Sequence, residues 1–148
     1  MNLKDRITED MKSAMRAREA DRLSTIRMLL AAIKQREIDS RTETDDAAVL
    51  AIVEKLIKQR KDAIAQFEAG GRADLVAKET AEVGVLAGYL PRQMSEEEVG
   101  AAVDAAIAEL GASGPAAMGK IMALLKPRLA GRADIGQVSA VVKRRLAG

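Results

Sequence analysis

The sequence contains no cysteine, no histidine and no tryptophan, and only one tyrosine and one phenylalanine. Without thiols there is neither a disulfide framework nor a thiolate nucleophile. Without imidazole, the side chain best suited to proton transfer near neutral pH is missing, along with the commonest metal ligand. These absences exclude most familiar catalytic constellations, so the sequence assigns no catalytic residue, no metal ligand and no cofactor. The N-terminal stretch Met1-Asn-Leu-Lys-Asp-Arg-Ile7 lacks the apolar core of a secretory signal. No run approaches the roughly 18 consecutive apolar residues that would span a bilayer. On these grounds the chain is expected to be cytoplasmic, with no membrane partner.

What remains favours helices. Hydrophobic residues make up 48% of the 148 positions, and they are almost entirely Ala, Leu, Ile, Val and Met. Such an inventory has high helix propensity, and a chain of this length buries enough apolar surface to fold unaided. The net charge of +2 hides an uneven distribution. Residues 1–91 are neutral overall, residues 92–114 carry a net charge of −4, and residues 115–148 carry +6.

Apolar spacing of three and four residues marks successive helices. The first runs from about Leu3 to Arg18, with Leu3, Ile7, Met11 and Ala14 on one stripe. A second begins near Asp21, a candidate N-cap, and carries Leu23, Ile26, Leu29, Leu30 and Ile33. A third follows Thr44 with Asp45 and Asp46 in its first turn, and Gly70-Gly71 ends it. The fourth spans about Arg72 to Tyr89 and stops before Pro91. Ser95-Glu-Glu-Glu98 is a capping box that opens a fifth helix toward Leu110. A sixth places Met118, Ile121, Met122 and Leu125 inward and is expected to be interrupted or kinked near Pro127. Asp134 with Gln137 caps a seventh, whose Val138, Val141, Val142 and Leu146 face inward. The predicted architecture is all-α: a four-helix N-terminal domain over residues 1–91, then a three-helix bundle over 92–148, with a hinge near Pro91.

Some charges fall on the wrong face. At about 100° per residue, Arg60 lies in the middle of the apolar stripe of the third helix. Glu79 and Glu82 share the stripe of Leu75, Leu86 and Tyr89 on the fourth. Folding the two helices back about Gly70-Gly71 sets Arg60 opposite residue 81, which the two glutamates straddle. Arg60, Glu79 and Glu82 are therefore expected to form a structural ion pair or small network. An acid–base role for the carboxylates is disfavoured, because a neighbouring guanidinium should lower their pKa values rather than raise them toward neutrality.

Two basic clusters are candidates for a polyanion. Lys58-Gln-Arg-Lys61 sits among acidic neighbours and reads as a solvated helix face. Lys120, Lys126, Arg128, Arg132, Lys143, Arg144 and Arg145 have only Asp134 to offset them. Of these, Lys120, Arg132, Lys143 and Arg144 should leave the core faces most clearly, with Lys126 and Arg128 beside them, whereas Arg145 lies nearer the helix seam and reads as a cover for it. A solubilising surface is the bland alternative. Met118-Gly119-Lys120 lacks the surrounding glycines of a P-loop, so Gly119 is read instead as a point where a neighbouring helix approaches closely. With so few aromatics, any RNA would be recognised through backbone and shape.

The whole chain resembles the YqeY-like family, also described as the GatB/YqeY domain. The likeness is carried by the Leu23 to Ile38 helix with Arg27, by Lys58-Gln-Arg-Lys61 and by Phe67-Glu-Ala-Gly-Gly-Arg72. Tyr89-Leu-Pro-Arg-Gln93 running into Ser95-Glu-Glu-Glu98, Met118-Gly-Lys-Ile-Met122 and Gly131-Arg-Ala-Asp134 complete it. The family is similar to the C-terminal tail region of the B subunit of the tRNA-dependent amidotransferase. The resemblance implies a four-helix domain joined to a three-helix domain, and a tail that contacts tRNA while the chemistry lies in other domains. A carbon–nitrogen ligase activity with glutamine as amide donor would thus be inherited by resemblance only. The reading that follows is a non-catalytic tRNA- or RNA-binding accessory protein. Its alternative is a protein–protein adaptor for an amidotransferase or another translation factor.

Overall fold

The computed structural model describes residues 1–147, and every regular element among them is helical. Seven α-helices follow one another: α1 (Leu3–Arg16), α2 (Ala20–Ser40), α3 (Asp46–Ala69), α4 (Ala73–Ala87), α5 (Glu96–Leu110), α6 (Met118–Leu129) and α7 (Ile135–Ala147). A 3-10 turn at Pro115–Ala117 leads into α6. The chain divides into two compact units, one spanning Met1–Leu90 and the other beginning at Pro91. No helix among the described residues is long and apolar enough to cross a membrane.

The first unit is built on the stripes that the sequence spacing sets up. Ile7 and Ala14 of α1, Ile26, Leu29 and Ile33 of α2, Val49, Val53 and Ile57 of α3, and Leu86 of α4 form its core. Each fully buried Leu or Ile contributes about 1.5–3 kcal/mol relative to exposure. Polar ties fix the helix ends. Glu37 accepts from Lys4 Nζ at 2.8 Å and from the Thr44 amide at 2.9 Å, joining α1 and the α2–α3 loop through one carboxylate. Lys4 holds the Glu37 carboxyl below its ordinary range, with the Thr44 amide acting in the same sense. Beyond α4, the buried Tyr89 hydroxyl donates to Asp10 at 2.7 Å, and Arg6 lies 5.2 Å from its ring centre. Burial and then Asp10 push the phenol well above its ordinary pKa.

Helix ends differ from the sequence expectation in instructive ways. Asp21 is not the N-cap of α2. The chain reverses at Arg18, which is left-handed (φ 57°), so Glu19 is the cap and Asp21 already sits in the first turn. Asp45 alone caps α3, accepting from the Ala48 amide at 2.8 Å. Asp46 is then free to accept from the Leu3 amide at 2.9 Å, across to α1. α4 ends at Ala87, two residues short of Tyr89.

The second unit buries Val99, Val103 and Ala106 of α5, Ile121, Leu125 and Leu129 of α6, and Val138 and Val142 of α7. Its entry is the reciprocal capping box: Ser95 Oγ accepts from the Glu98 amide at 3.1 Å while Glu98 accepts from the Ser95 amide at 3.3 Å. Pro127 does not interrupt α6, which continues through it to Leu129. Proline removes only one amide, and Pro127 lies on the exposed side, close to the helix end. Gly119 does not mark a close approach, since a Cβ placed there would meet nothing within 4 Å. The tight position is Gly100, where a Cβ would lie 3.0 Å from the Arg145 guanidinium.

Candidate nucleic-acid interface

Arg60, Glu79 and Glu82 come together between α3 and α4. Arg60 Nε donates to Glu82 at 3.2 Å, Nη1 donates to the Leu56 carbonyl at 3.1 Å, and Nη2 meets the Met28 thioether of α2. The Arg60 and Glu82 side chains retain only 14% and 20% of their exposure. Glu79 contradicts the sequence argument about direction. Its pKa is raised, first by burial and then by the neighbouring Glu82 charge, and Arg60 only partly opposes this. The guanidinium is committed to Glu82, leaving Glu79 as the surplus carboxylate. Beside this seam, α2 and α4 enclose an open cleft of about 370 Å³, lined by Asp21, Arg22, Thr25, Lys78, Ala81 and Glu82 among others.

The basic residues of the second unit separate into two sets. α6 turns Ile121, Leu125 and Leu129 inward, which leaves Lys120, Lys126 and Arg128 exposed. α7 turns Val138 and Val142 inward and exposes Lys143, Arg144 and Arg145. Two of these cations are answered from α5. Arg128 makes a two-pronged pair with Glu109, at 2.9 and 3.0 Å. That hydrogen bond raises the Arg128 pKa and lowers that of Glu109. Arg145 Nε donates to Asp104 at 2.9 Å, so it does cover the α5–α7 seam. Among the described residues, Lys120, Lys126, Lys143 and Arg144 have no ion-pair partner and no side-chain hydrogen bond. Arg132 is half-buried in the α6–α7 turn; the Glu98 carboxyl is held below its ordinary range chiefly by the Ser95 amide, then by Arg92, with Arg132 the smallest influence. In the first unit, Lys58 and Lys61 lie on the exposed side of α3.

Sequence reasoning passed over Arg92 and Gln93, which sit in the acidic stretch between the units' helices. Gln93 Nε2 donates to the Gly131 carbonyl at 2.7 Å and to the Pro91 carbonyl at 3.0 Å. The Met94 amide donates to the Arg132 carbonyl at 2.8 Å. Arg92 Nη2 donates to Glu98 at 3.0 Å. The only linear signal for this convergence was that both segments belong to the stretches carrying the family likeness. No group of three or more acidic side chains among the described residues is placed to hold a metal ion.

An all-helical protein with a basic second unit matches a known family over nearly its full length. Residues 4–146 fit the family model described as Yqey-like protein, and the chain belongs to the YqeY-like family. Curated relatives carry the name "Altered inheritance of mitochondria protein 41, mitochondrial". The Kluyveromyces lactis protein is 43% identical over 113 residues, covering 74% of this chain and 60% of the relative. The Lachancea thermotolerans protein is 39% identical over 112 residues, with the same coverage. The Pyrenophora tritici-repentis protein is 33% identical over 129 residues, covering 83% of this chain and 71% of its own. The chain thus spans about 60% of the length of the first two relatives.

The relatives correct the cytoplasmic expectation, because each of these three is named as a mitochondrial protein. The error has a simple cause. Lack of cysteine and of a secretory signal argues against an oxidising, secreted setting. Neither observation separates the cytosol from the interior of an organelle.

Proposed function

We propose that this chain is a non-catalytic RNA-binding accessory protein whose RNA is folded and tRNA-like. The observation that carries the reading is the set of exposed, unpartnered cations Lys120, Lys126, Lys143 and Arg144 on α6 and α7. Cations already matched by a carboxylate add little to an external field, whereas unmatched ones on a folded surface attract a polyanion and release its counterions on contact. The scarcity of aromatics agrees with backbone recognition: Tyr89 is buried and Phe67 is half-buried, so neither offers an open stacking platform. The choice of tRNA rests on the resemblance to the amidotransferase B-subunit tail. The relatives' names specify no ligand.

The reading is tested by binding an unmodified tRNA transcript to the wild-type chain and to a variant with Lys120, Lys126, Lys143 and Arg144 all replaced by Gln. The variant should bind more weakly and show a flatter dependence on salt, with unchanged helicity. A Lys58→Gln, Lys61→Gln variant should change binding less. Equal loss from both variants would mean that net charge, not this surface, governs binding. If the transcript does not bind at all, capture of a translation-related protein becomes the reading to pursue.

A further inference from the structure

We infer that Arg92 and Arg132 form a corner that grips the RNA phosphate backbone, held in shape by Gln93. This rests on the RNA-binding reading above and adds Arg92 and Gln93, which the charge distribution alone does not select, to Arg132, which it does. Arg92 lies in the acidic stretch and Arg132 in the basic one, 40 positions apart. The Gln93 carboxamide bridges the Pro91 and Gly131 carbonyls, and the Met94 amide bonds the Arg132 carbonyl. Gly131 is buried with φ 74°, a left-handed conformation that glycine adopts without strain. The segment before α5 is thereby laid on the α6–α7 turn, with Arg92 bonded to the Glu98 carboxylate and the Arg132 charge close enough to act on the same carboxylate.

That carboxylate does not satisfy both. Glu98 Oε1 accepts from the Ser95 amide and from one Arg92 nitrogen, and no hydrogen bond joins it to Arg132. One negative charge therefore stands against two positive ones. The Arg92 side chain is 80% exposed, and a guanidinium has five N–H donors, of which Glu98 uses one. A surface pair of this kind contributes little stability, so redirecting Arg92 toward a phosphate costs little. The residue type also matters. Three of the four unpartnered cations on α6 and α7 are lysines, point charges that attract without fixing geometry. The corner presents two arginines, whose planar forks bind phosphate oxygens in pairs. The helix surfaces supply long-range attraction, and the corner sets where the backbone sits.

The test uses the full chain, a labelled unmodified tRNA transcript and fluorescence anisotropy across about 50–200 mM salt, the range in which phosphate contacts are most visible. Arg92→Gln should weaken binding about ten-fold and lower the salt slope by about one phosphate's worth. Arg41→Gln, an identical charge change on the first unit, should alter affinity much less. Arg92→Lys should keep the slope but not the full affinity, because it retains charge and loses the fork. Gln93→Ala changes no charge; it should weaken binding while circular dichroism shows the helices intact. Equal effects of Arg92→Gln and Arg41→Gln would overturn the corner. So would full affinity in the Arg92 and Gln93 variants alongside loss of binding in the α6–α7 variant, a result that leaves the RNA reading standing. Failure of the wild-type chain to bind at low salt would overturn both.

Discussion

Replacing Arg60 with alanine tests the packing of the first unit most sharply. The perturbation removes the one cation that, among the described residues, pairs with Glu82, and leaves Glu79 and Glu82 facing each other with most of their surface covered. Breaking a fully buried pair costs about 3–5 kcal/mol. Here the two partners keep 14% and 20% exposure, so water relieves part of that cost and about 2–3 kcal/mol is expected. For a unit of this size, 1 kcal/mol moves the melting midpoint by about 4–8 °C, so the shift should be on the order of 10–20 °C. Thermal unfolding followed by circular dichroism reads it directly. Arg41→Ala is the control, an exposed arginine whose loss should fall within about 0.5 kcal/mol of wild type. Matching midpoints for the two variants would refute the reasoning.

Two further outcomes concern the same unit. Glu79→Gln should raise stability near neutral pH. The folded carboxyl holds its proton more tightly than the unfolded one, so its contribution is fully present below the ordinary carboxylate pKa and is lost as pH rises through the raised value. The advantage of the variant should therefore vanish in acid, as a pH series of melts would show. Arg41→Gly should stabilise by about 0.5–1 kcal/mol in urea unfolding, because the C-cap of α2 is left-handed (φ 54°) and glycine adopts that conformation without strain.

Periodicity and capping chemistry made the helices legible, because both act over a few neighbouring residues. Ser95 and Glu98 form their capping box from side chains three positions apart, and Gly71 and Gly111 supply the left-handed turns that end α3 and α5. The reversals at Arg18 and Arg41 were not legible, since a left-handed arginine has no sequence signature. The Arg60–Glu82 contact followed from folding two helices about one glycine pair. The direction of the Glu79 shift did not, because it depends on which of two carboxylates takes the guanidinium. Charge counting found the basic end of the chain but not its internal neutralisation. Arg128 meets Glu109 and Arg145 meets Asp104 across helix pairs, so local sequence gives no sign of either. The tie between Gln93 and Gly131 was hidden for the same reason.

The central claim is that unpartnered cations on α6 and α7 bind folded RNA, and equilibrium binding of an unmodified tRNA transcript to the wild-type chain as a function of salt tests it most directly. With four such cations and the two arginines of the corner engaged, log affinity should fall by about 4 to 5 for each log unit of salt. No binding at low salt, or an affinity that stays flat as salt rises, would contradict it.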